Sequence, residues 1–141
     1  MPATLISGVH IAATIRDELR VEVSRLKNEH NLSPGLVTIL VGDDPASQSY
    51  VRAKNTTARD LGLHSQQITL SADTSETELL QLVHTYNLDP LTHGILVQLP
   101  LPSQINEANI LSAISPEKDV DGFHPVNVGR LMLGEPCLLP C

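Results

Sequence analysis

The sequence is poor in several features that mark particular classes of protein. Its 141 residues contain two cysteines, and no apolar run approaches the roughly 20 residues needed to cross a bilayer. Nine Lys and Arg against 16 Asp and Glu give a formal net charge of −7. Because nucleic acids and anionic membranes attract basic surfaces, we expect neither as a partner. The first residues show no basic stretch followed by a long apolar one, so we expect a soluble protein without a secretory signal.

Sequence fingerprints for nucleotide and metal sites are also missing. The chain has no GxGxxG turn, no Walker A loop and no HExxH. We therefore expect no cofactor-binding or metal-binding residues in this chain. Cys137 and Cys141 lie in CLLPC without a histidine cluster, which favours buried or frayed thiols in a reducing compartment over metal or redox chemistry. The apolar, strand-like ending favours a fragment of a longer protein.

The residues that are present predict one globular domain. Hydrophobic residues make up 41% of the chain and charged residues 18%, and a chain of this length buries about two-thirds of its unfolded surface. Apolar residues at steps of four and three predict an amphipathic helix over residues 8–30. The apolar run 36–42 predicts a strand buried on both faces, and Asp44 and Pro45 predict the start of a helix that ends near Gly62. The apolar stripe of the first helix comprises Ile11, Ile15, Leu19, Val23 and Leu26.

The strand and helix pattern then repeats. Residues 65–71 predict a weaker strand, and Ser75 with Glu78 predicts a capping box that starts a helix ending near Asp89. A buried strand opens at Gly94, a helix follows over residues 106–114, and residues 116–127 are expected to form a long polar loop. Alternation of this kind predicts an α/β protein, a three-layer α/β/α sandwich with a mainly parallel sheet.

Polar residues cluster where such a sheet binds ligands, beyond the carboxyl ends of its strands. Tyr50 and Lys54 lie one turn apart on the helix after the first buried strand, so they share a helical face. Spacing alone favours a solvated lysine and a half-buried tyrosine. The functional alternative is a lysine that activates or orients water, beside an aromatic ring that stacks on a flat heterocycle.

Two further polar residues follow the next strand and the fourth helix. Gln98 ends an apolar strand, where a buried amide must bind backbone groups or face a polar cavity. Asp121, in the DVDG segment that also holds Asp119, is either a turn residue or an acceptor for the donors of an aminopyrimidine. His93 and His124 lack informative partners, which favours structural or surface roles.

Three motifs together resemble one enzyme family. GDDPASQSYVRAK, GILVQLPLP and PEKDVDGFHPVNVGRL, in this order between residues 42 and 131, are similar to the bifunctional methylenetetrahydrofolate dehydrogenase/methenyltetrahydrofolate cyclohydrolase family. The resemblance implies that residues 1–141 are the folate-binding catalytic domain, with a fold like the N-terminal domain of amino-acid dehydrogenases. A Rossmann-type domain that binds NADP or NAD is then expected beyond residue 141.

The resemblance also implies roles for individual residues. The catalytic lysine falls on Lys54, with Gln98 assisting it, Tyr50 stacking beside the folate and Asp121 binding the pterin. The expected substrate-binding residues are Tyr50, Val51, Lys54, Val97, Gln98, Leu99 and Asp121. The segment from Asn55 to Ala58 departs from the usual family pattern, which leaves the packing on the far side of this helix open.

The implied reaction oxidises methylenetetrahydrofolate and then hydrolyses the methenyl product to formyltetrahydrofolate. The resemblance further implies a role in one-carbon metabolism and purine biosynthesis, a homodimer when full length, and a cytoplasmic location, with a mitochondrial one as the alternative. A second hypothesis keeps the same fold without catalysis. The chain would then be an α/β ligand-binding or assembly module.

Overall fold

The computed structural model describes residues 6–139, so Cys141 lies outside the described residues. The elements in chain order are α1 (Gly8–His30), β1 (Gly35–Val41), α2 (Pro45–Asp60), β2 (His64–Leu70), α3 (Glu76–Leu88), β3 (Gly94–Val97), α4 (Glu107–Ala113) and α5 (Pro125–Leu133). Among these residues, no helix is both long enough and apolar enough to span a membrane.

The three strands form a parallel sheet in the order β2-β1-β3. Alternate residues of β1 point to opposite faces. One face packs against α3 and α4 through a cluster of apolar side chains, and α2 covers the other face. The predicted three-layer α/β/α sandwich is thus confirmed. The apolar cluster contains Val37, Ile39, Val41, Leu79, Val83, Ile95, Val97, Ile105, Ile110 and Ile114.

The helix starts follow the predicted capping chemistry. The Asp44 side chain accepts from Ser47 N at 2.7 Å, and Pro45 occupies the first turn of α2. Ser75 and Glu78 form the predicted capping box of α3. These caps satisfy backbone N–H groups that have no partner within the helix. They also fix where α2 and α3 begin relative to the strand ends.

Two predictions need correction. The loop predicted over residues 116–127 is too long, because α5 begins at Pro125 with His124 as its N-cap. His124 Nδ1 accepts from Val126 N at 3.1 Å, an unusual cap that the sequence did not reveal. The apolar stripe of α1 is also less buried than the pattern indicated. Of its residues only Val23 is fully buried, while Ile11, Ile15 and Leu19 are 44–49% exposed.

The residues from Asn55 to Ala58 on α2, which depart from the expected pattern, pack well. Asn55 is buried beside β2. Its Nδ2 donates to Val51 O, one turn earlier on α2, at 2.9 Å and to Gln67 Oε1 on β2 at 3.4 Å. Its Oδ1 accepts from the hydroxyl of Ser65. A buried amide with both ends paired avoids the cost of desolvation. The departure is therefore accommodated by polar partners on β2, and Ala58 is buried as well.

Lys118 joins the segment before α5 to the end of α3. Its Nζ donates to three main-chain carbonyl oxygens, of Tyr86 at 3.0 Å, Asn87 at 2.8 Å and Asp89 at 2.9 Å. Carbonyls at a helix C-terminus lack intrahelical donors and attract positive charge. One ammonium group thus satisfies three of them.

We expect Lys118→Met to lower the free energy of unfolding by about 1.5–3 kcal/mol, the range for hydrogen bonds to a charged group. Urea denaturation of the purified chain measures it. Lys27→Met, at an exposed position of α1, is the matched control and should change stability little. Equal urea midpoints for Lys118→Met and the unchanged chain would show that the three hydrogen bonds of Lys118 Nζ contribute no net stability.

Candidate functional site

The candidate site lies on the α2 side of the sheet, between α2 and the segment after α4. Lys54 and Asp121 line one groove of about 550 Å³ whose other walls are mostly apolar. The apolar walls come from β1, β3 and the carboxyl-terminal half of α2. The lining residues are Leu36, Ala53, Lys54, Thr57, Ala58, Leu61, Leu63, Leu96, Val120 and Asp121.

Lys54, which lines this groove, also contacts Gln98. Lys54 Nζ donates to Gln98 Oε1 at 3.3 Å, although the two residues lie 44 positions apart. Gln98 is held from both ends, because its backbone N donates to Ile39 O at 2.8 Å and its Nε2 donates to Leu99 O at 2.8 Å. The amide oxygen is thereby turned toward the lysine. The Lys54 side chain itself remains exposed, so it is free to reach a ligand.

Asp121 is half-buried beside the groove. Burial raises the pKa of its carboxyl group above the ordinary aspartate value, the positive charge of Lys54 lowers it, and the negative charge of Asp119 raises it. No ion pair within 4 Å joins Asp121 to a cation among the described residues. Its oxygens are therefore available to accept hydrogen bonds from a ligand.

The other expected site residues divide into two groups. Tyr50 is 65% exposed and lies one turn before Lys54, and Leu99 is half-buried beside Gln98. Val51 and Val97 are 0% and 2% exposed, and Val97 belongs to the apolar cluster on the α3 side. The side chains of these two valines are thus part of the core, and they contribute to the groove by supporting α2 and β3.

Sequence reasoning missed the residues that hold the stretch from Pro116 to Gly122, hereafter the Asp121 segment, in place. Asp119 and Asn127 are 1% and 2% exposed and are hydrogen-bonded to each other, Oδ2 to Nδ2, at 2.9 Å. The eight-residue spacing of an Asp and an Asn is not a recognised pattern.

The two histidines have the structural roles that the sequence predicted, since His93 Nδ1 accepts from Gly35 N at 3.0 Å and His124 caps α5.

The turn from the first strand to the second helix does not fit the pyrophosphate of a dinucleotide. The turn from β1 to α2 contains Gly42, Asp43 and Asp44, and the Asp44 carboxylate already occupies the N-terminus of α2. A pyrophosphate at this position would meet negative charge in place of free N–H groups. The described part of the chain also holds no group of three or more His, Cys, Asp or Glu that could bind a metal ion.

Comparison with protein families decides what kind of protein has this site. The model of the tetrahydrofolate dehydrogenase/cyclohydrolase catalytic domain matches residues 6–121. The chain belongs to the tetrahydrofolate dehydrogenase/cyclohydrolase family. The match confirms the resemblance seen in the sequence, and its range spans the positions of all four candidate site residues.

Individual members of the family are similar to this chain over nearly its whole length. A bifunctional protein FolD from Syntrophobacter fumaroxidans is 60% identical over 141 residues, which are 48% of that protein. The crystal structure of the FolD methylenetetrahydrofolate dehydrogenase/cyclohydrolase from Campylobacter jejuni gives a TM-score of 0.95 at 45% identity, covering 98% of this chain and 49% of that one. The crystal structure of a Trypanosoma brucei FolD complexed with NADP cofactor and inhibitor gives a TM-score of 0.94 at 39% identity. The match covers 100% of this chain and 49% of that one. The chain spans about half the length of the curated relatives it matches.

Proposed function

We propose that this chain is the folate-binding catalytic domain of an enzyme of one-carbon metabolism. The enzyme oxidises methylenetetrahydrofolate to methenyltetrahydrofolate with NAD(P) and hydrolyses the product to formyltetrahydrofolate. The observation that carries the proposal is that Lys54, which lines the same groove as Asp121, also contacts Gln98. The groove is mostly apolar with few polar groups, as small-molecule sites usually are.

Lys54 acts on water in the hydrolytic step. The methenyl carbon carries positive charge shared with two nitrogens, and water adds to this carbon. One proton of the water is released to the solvent. As the bond from the carbon to one nitrogen then breaks, the remaining hydroxyl proton moves to that nitrogen, which leaves the formyl group on the other nitrogen. The Lys54 amine positions the attacking water and assists proton movement, while Gln98 Oε1 fixes the direction of the amine.

Asp121 and Tyr50 bind the substrate. The pterin part of folate carries an aminopyrimidine edge, whose adjacent N–H donors match the two oxygens of a carboxylate. Asp121 accepts these donors from its half-buried position, and the exposed ring of Tyr50 stacks on the flat part of the substrate. Leu99 and the backbone near Val51 and Val97 complete the walls of the site.

Asp121→Ala tests the substrate assignment. We expect it to weaken binding of a reduced folate by about 1.5–3 kcal/mol, because charge-assisted donors lose their acceptor. Isothermal titration calorimetry of the 141-residue chain measures the affinity. Asp43→Ala removes an exposed carboxylate from another part of the same sheet edge and is the matched control. Equal folate affinity in Asp121→Ala and Asp43→Ala would reject Asp121 as the pterin ligand.

Affinity should also depend on pH through Asp121. The ionised carboxylate accepts the folate donors, so binding is strong above its pKa and is lost as the pH falls through that pKa. Because burial raises this pKa, the loss should begin at a higher pH than an ordinary aspartate would give.

The longer enzyme requires a second domain for hydride transfer. We propose that a Rossmann-type domain beyond residue 141 binds most of the NADP or NAD, and the NADP bound to the Trypanosoma brucei FolD supports NADP. A homodimer, a cytoplasmic location and a supply of formyl groups to purine biosynthesis belong to the same proposal. The assay protein for both activities is this chain joined to the second half of the Syntrophobacter fumaroxidans relative, hereafter the joined protein.

A further inference from the structure

The carboxylate of Asp119 is buried at the base of the Asp121 segment. It is 1% exposed, and three N–H donors surround it. Oδ1 accepts from Phe123 N at 3.3 Å, and Oδ2 accepts from His124 N at 2.8 Å and from Asn127 Nδ2 at 2.9 Å. A buried carboxylate with this many donors is strongly attached to the backbone that supplies them. Asp119 therefore joins the segment before Asp121 to the first turn of α5.

Asn127 extends the same attachment. It is 2% exposed, and its Nδ2 donates both to Asp119 Oδ2 and to Pro116 O, each at 2.9 Å. The two bonds use both hydrogens of one amide group. Two points of the chain before Asp121 are thus held by a single side chain of α5.

The segment also runs along β3. Ile95 N donates to Lys118 O at 2.7 Å, and Ile95 forms a parallel bridge with Asp119. Gly94 permits this approach, since a Cβ at that position would come within 2.5 Å of Val120 Cγ1. After Asp121 the chain turns at Gly122, whose φ is +68° and whose N donates to Asp119 O at 3.2 Å. Asp121 therefore lies between β3 and a tight turn that Asp119 closes.

We propose that Asp119 is a positioning residue for substrate binding. Its carboxylate, held by Asn127 and the start of α5, fixes Asp121 beside Lys54 in the groove, and so sets the strength of the bond to the pterin donors. This role rests on the proposed function, because it concerns the same folate site.

Two effects of Asp119 on Asp121 are separable. The hydrogen bonds hold the backbone, whereas the negative charge acts through space. Among the causes of the raised pKa of Asp121, burial comes first, Lys54 on α2 opposes it, and Asp119 adds to it. Asp119→Asn keeps the size of the side chain but removes the charge and one acceptor oxygen. Asn127→Ala removes the donor and leaves the charge of Asp119 in place.

The test uses three variants of the 141-residue chain and two measurements. The variants are Asp119→Asn, Asn127→Ala and, as the control, Lys118→Met, whose ammonium group donates to carbonyl oxygens at the end of α3 and not to the Asp119 carboxylate. Calorimetry with 5-formyltetrahydrofolate as the probe gives the affinity, and an NMR pH titration of the Asp121 carboxyl carbon gives its pKa. We expect Asp119→Asn and Asn127→Ala to weaken binding about tenfold, as displaced binding groups do, and Lys118→Met to leave binding unchanged. The pKa of Asp121 should fall in Asp119→Asn alone.

The outcomes separate this inference from the proposed function. Unchanged affinity in Asp119→Asn and Asn127→Ala would overturn the positioning role, whatever the Asp121 titration shows. An equal loss of affinity in Lys118→Met would also overturn it, because that result would indicate general loosening. If the unchanged chain binds no probe, the folate assignment itself is wrong, and the positioning role, which rests on it, is overturned with it; if the unchanged chain binds the probe and the variants bind it equally well, only the positioning role is overturned. If Asp119→Asn does not fold, Asn127→Ala decides: weaker binding supports the role, and unchanged binding overturns it.

Discussion

Lys54→Met is expected to lower the hydrolysis of methenyltetrahydrofolate by the joined protein at least about 100-fold, the usual lower contribution of a positioned acid or base. Methionine keeps the length and flexibility of the side chain but can neither donate to Gln98 nor orient water. The loss should appear in kcat, with a smaller change in KM, because Asp121 and Tyr50 still bind the substrate. The decrease in methenyl absorbance during hydrolysis measures the rate.

The fold should tolerate this change. The Lys54 side chain is exposed and makes a single hydrogen bond, at 3.3 Å to Gln98. Circular dichroism and the urea midpoint should match those of the unchanged protein. Arg52→Met is the matched control, because Arg52 is an exposed cation two positions away on the other side of α2, where it lines a separate polar groove. A Lys54→Met protein with nearly full hydrolytic activity would remove Lys54 from the mechanism.

The second large effect concerns hydride transfer. We expect the 141-residue chain to show no reduction of NAD or NADP when mixed with methylenetetrahydrofolate, whereas the joined protein should reduce one of them. Hydride transfer requires the nicotinamide carbon to be held against the bridging carbon of the substrate, and such orientation supplies several kcal/mol of the rate enhancement. The acidic turn at the start of α2 offers no place for the pyrophosphate.

Absorbance of the reduced cofactor distinguishes the two proteins. Folate binding by the 141-residue chain, measured in parallel, shows that the chain used in the assay is folded and competent. Steady turnover by the 141-residue chain with either cofactor would place the cofactor site within these residues. The proposal of a separate nucleotide-binding domain would then be wrong.

The elements that the sequence predicted are those whose signals are local. Asp44 and Pro45 mark the start of α2, Ser75 and Glu78 mark that of α3, and apolar runs mark β1 and β3. The capping signals involve residues within four positions of one another, and the strand signals are continuous runs of at most seven residues. The helix α5 was missed because a histidine is its N-cap, inside a segment whose composition is typical of a loop.

The candidate site was predicted only in part, because its contacts join residues that lie far apart in the sequence. Lys54 and Gln98 were selected from separate motifs, but their contact spans 44 positions, and spacing alone could not show it. The role of Asp119 was missed because two of its three donors are backbone N–H groups, which every sequence supplies. Spacing likewise gave no reason to place Val51 in the core, whereas Val97 lies in a strand that the sequence predicted to be buried.

The central claim is that reduced folate binds in the groove between α2 and the Asp121 segment. An NMR titration of the 141-residue chain with 5-formyltetrahydrofolate tests it most directly. The account predicts saturable shifts of backbone amides at residues 50–54, 97–99 and 119–122, with no shifts at the polar groove of Arg52, Gln67 and Thr69 on the other side of α2. Shifts confined to that polar groove, or no shifts at folate concentrations that saturate the joined protein, would contradict the account and favour a noncatalytic α/β module.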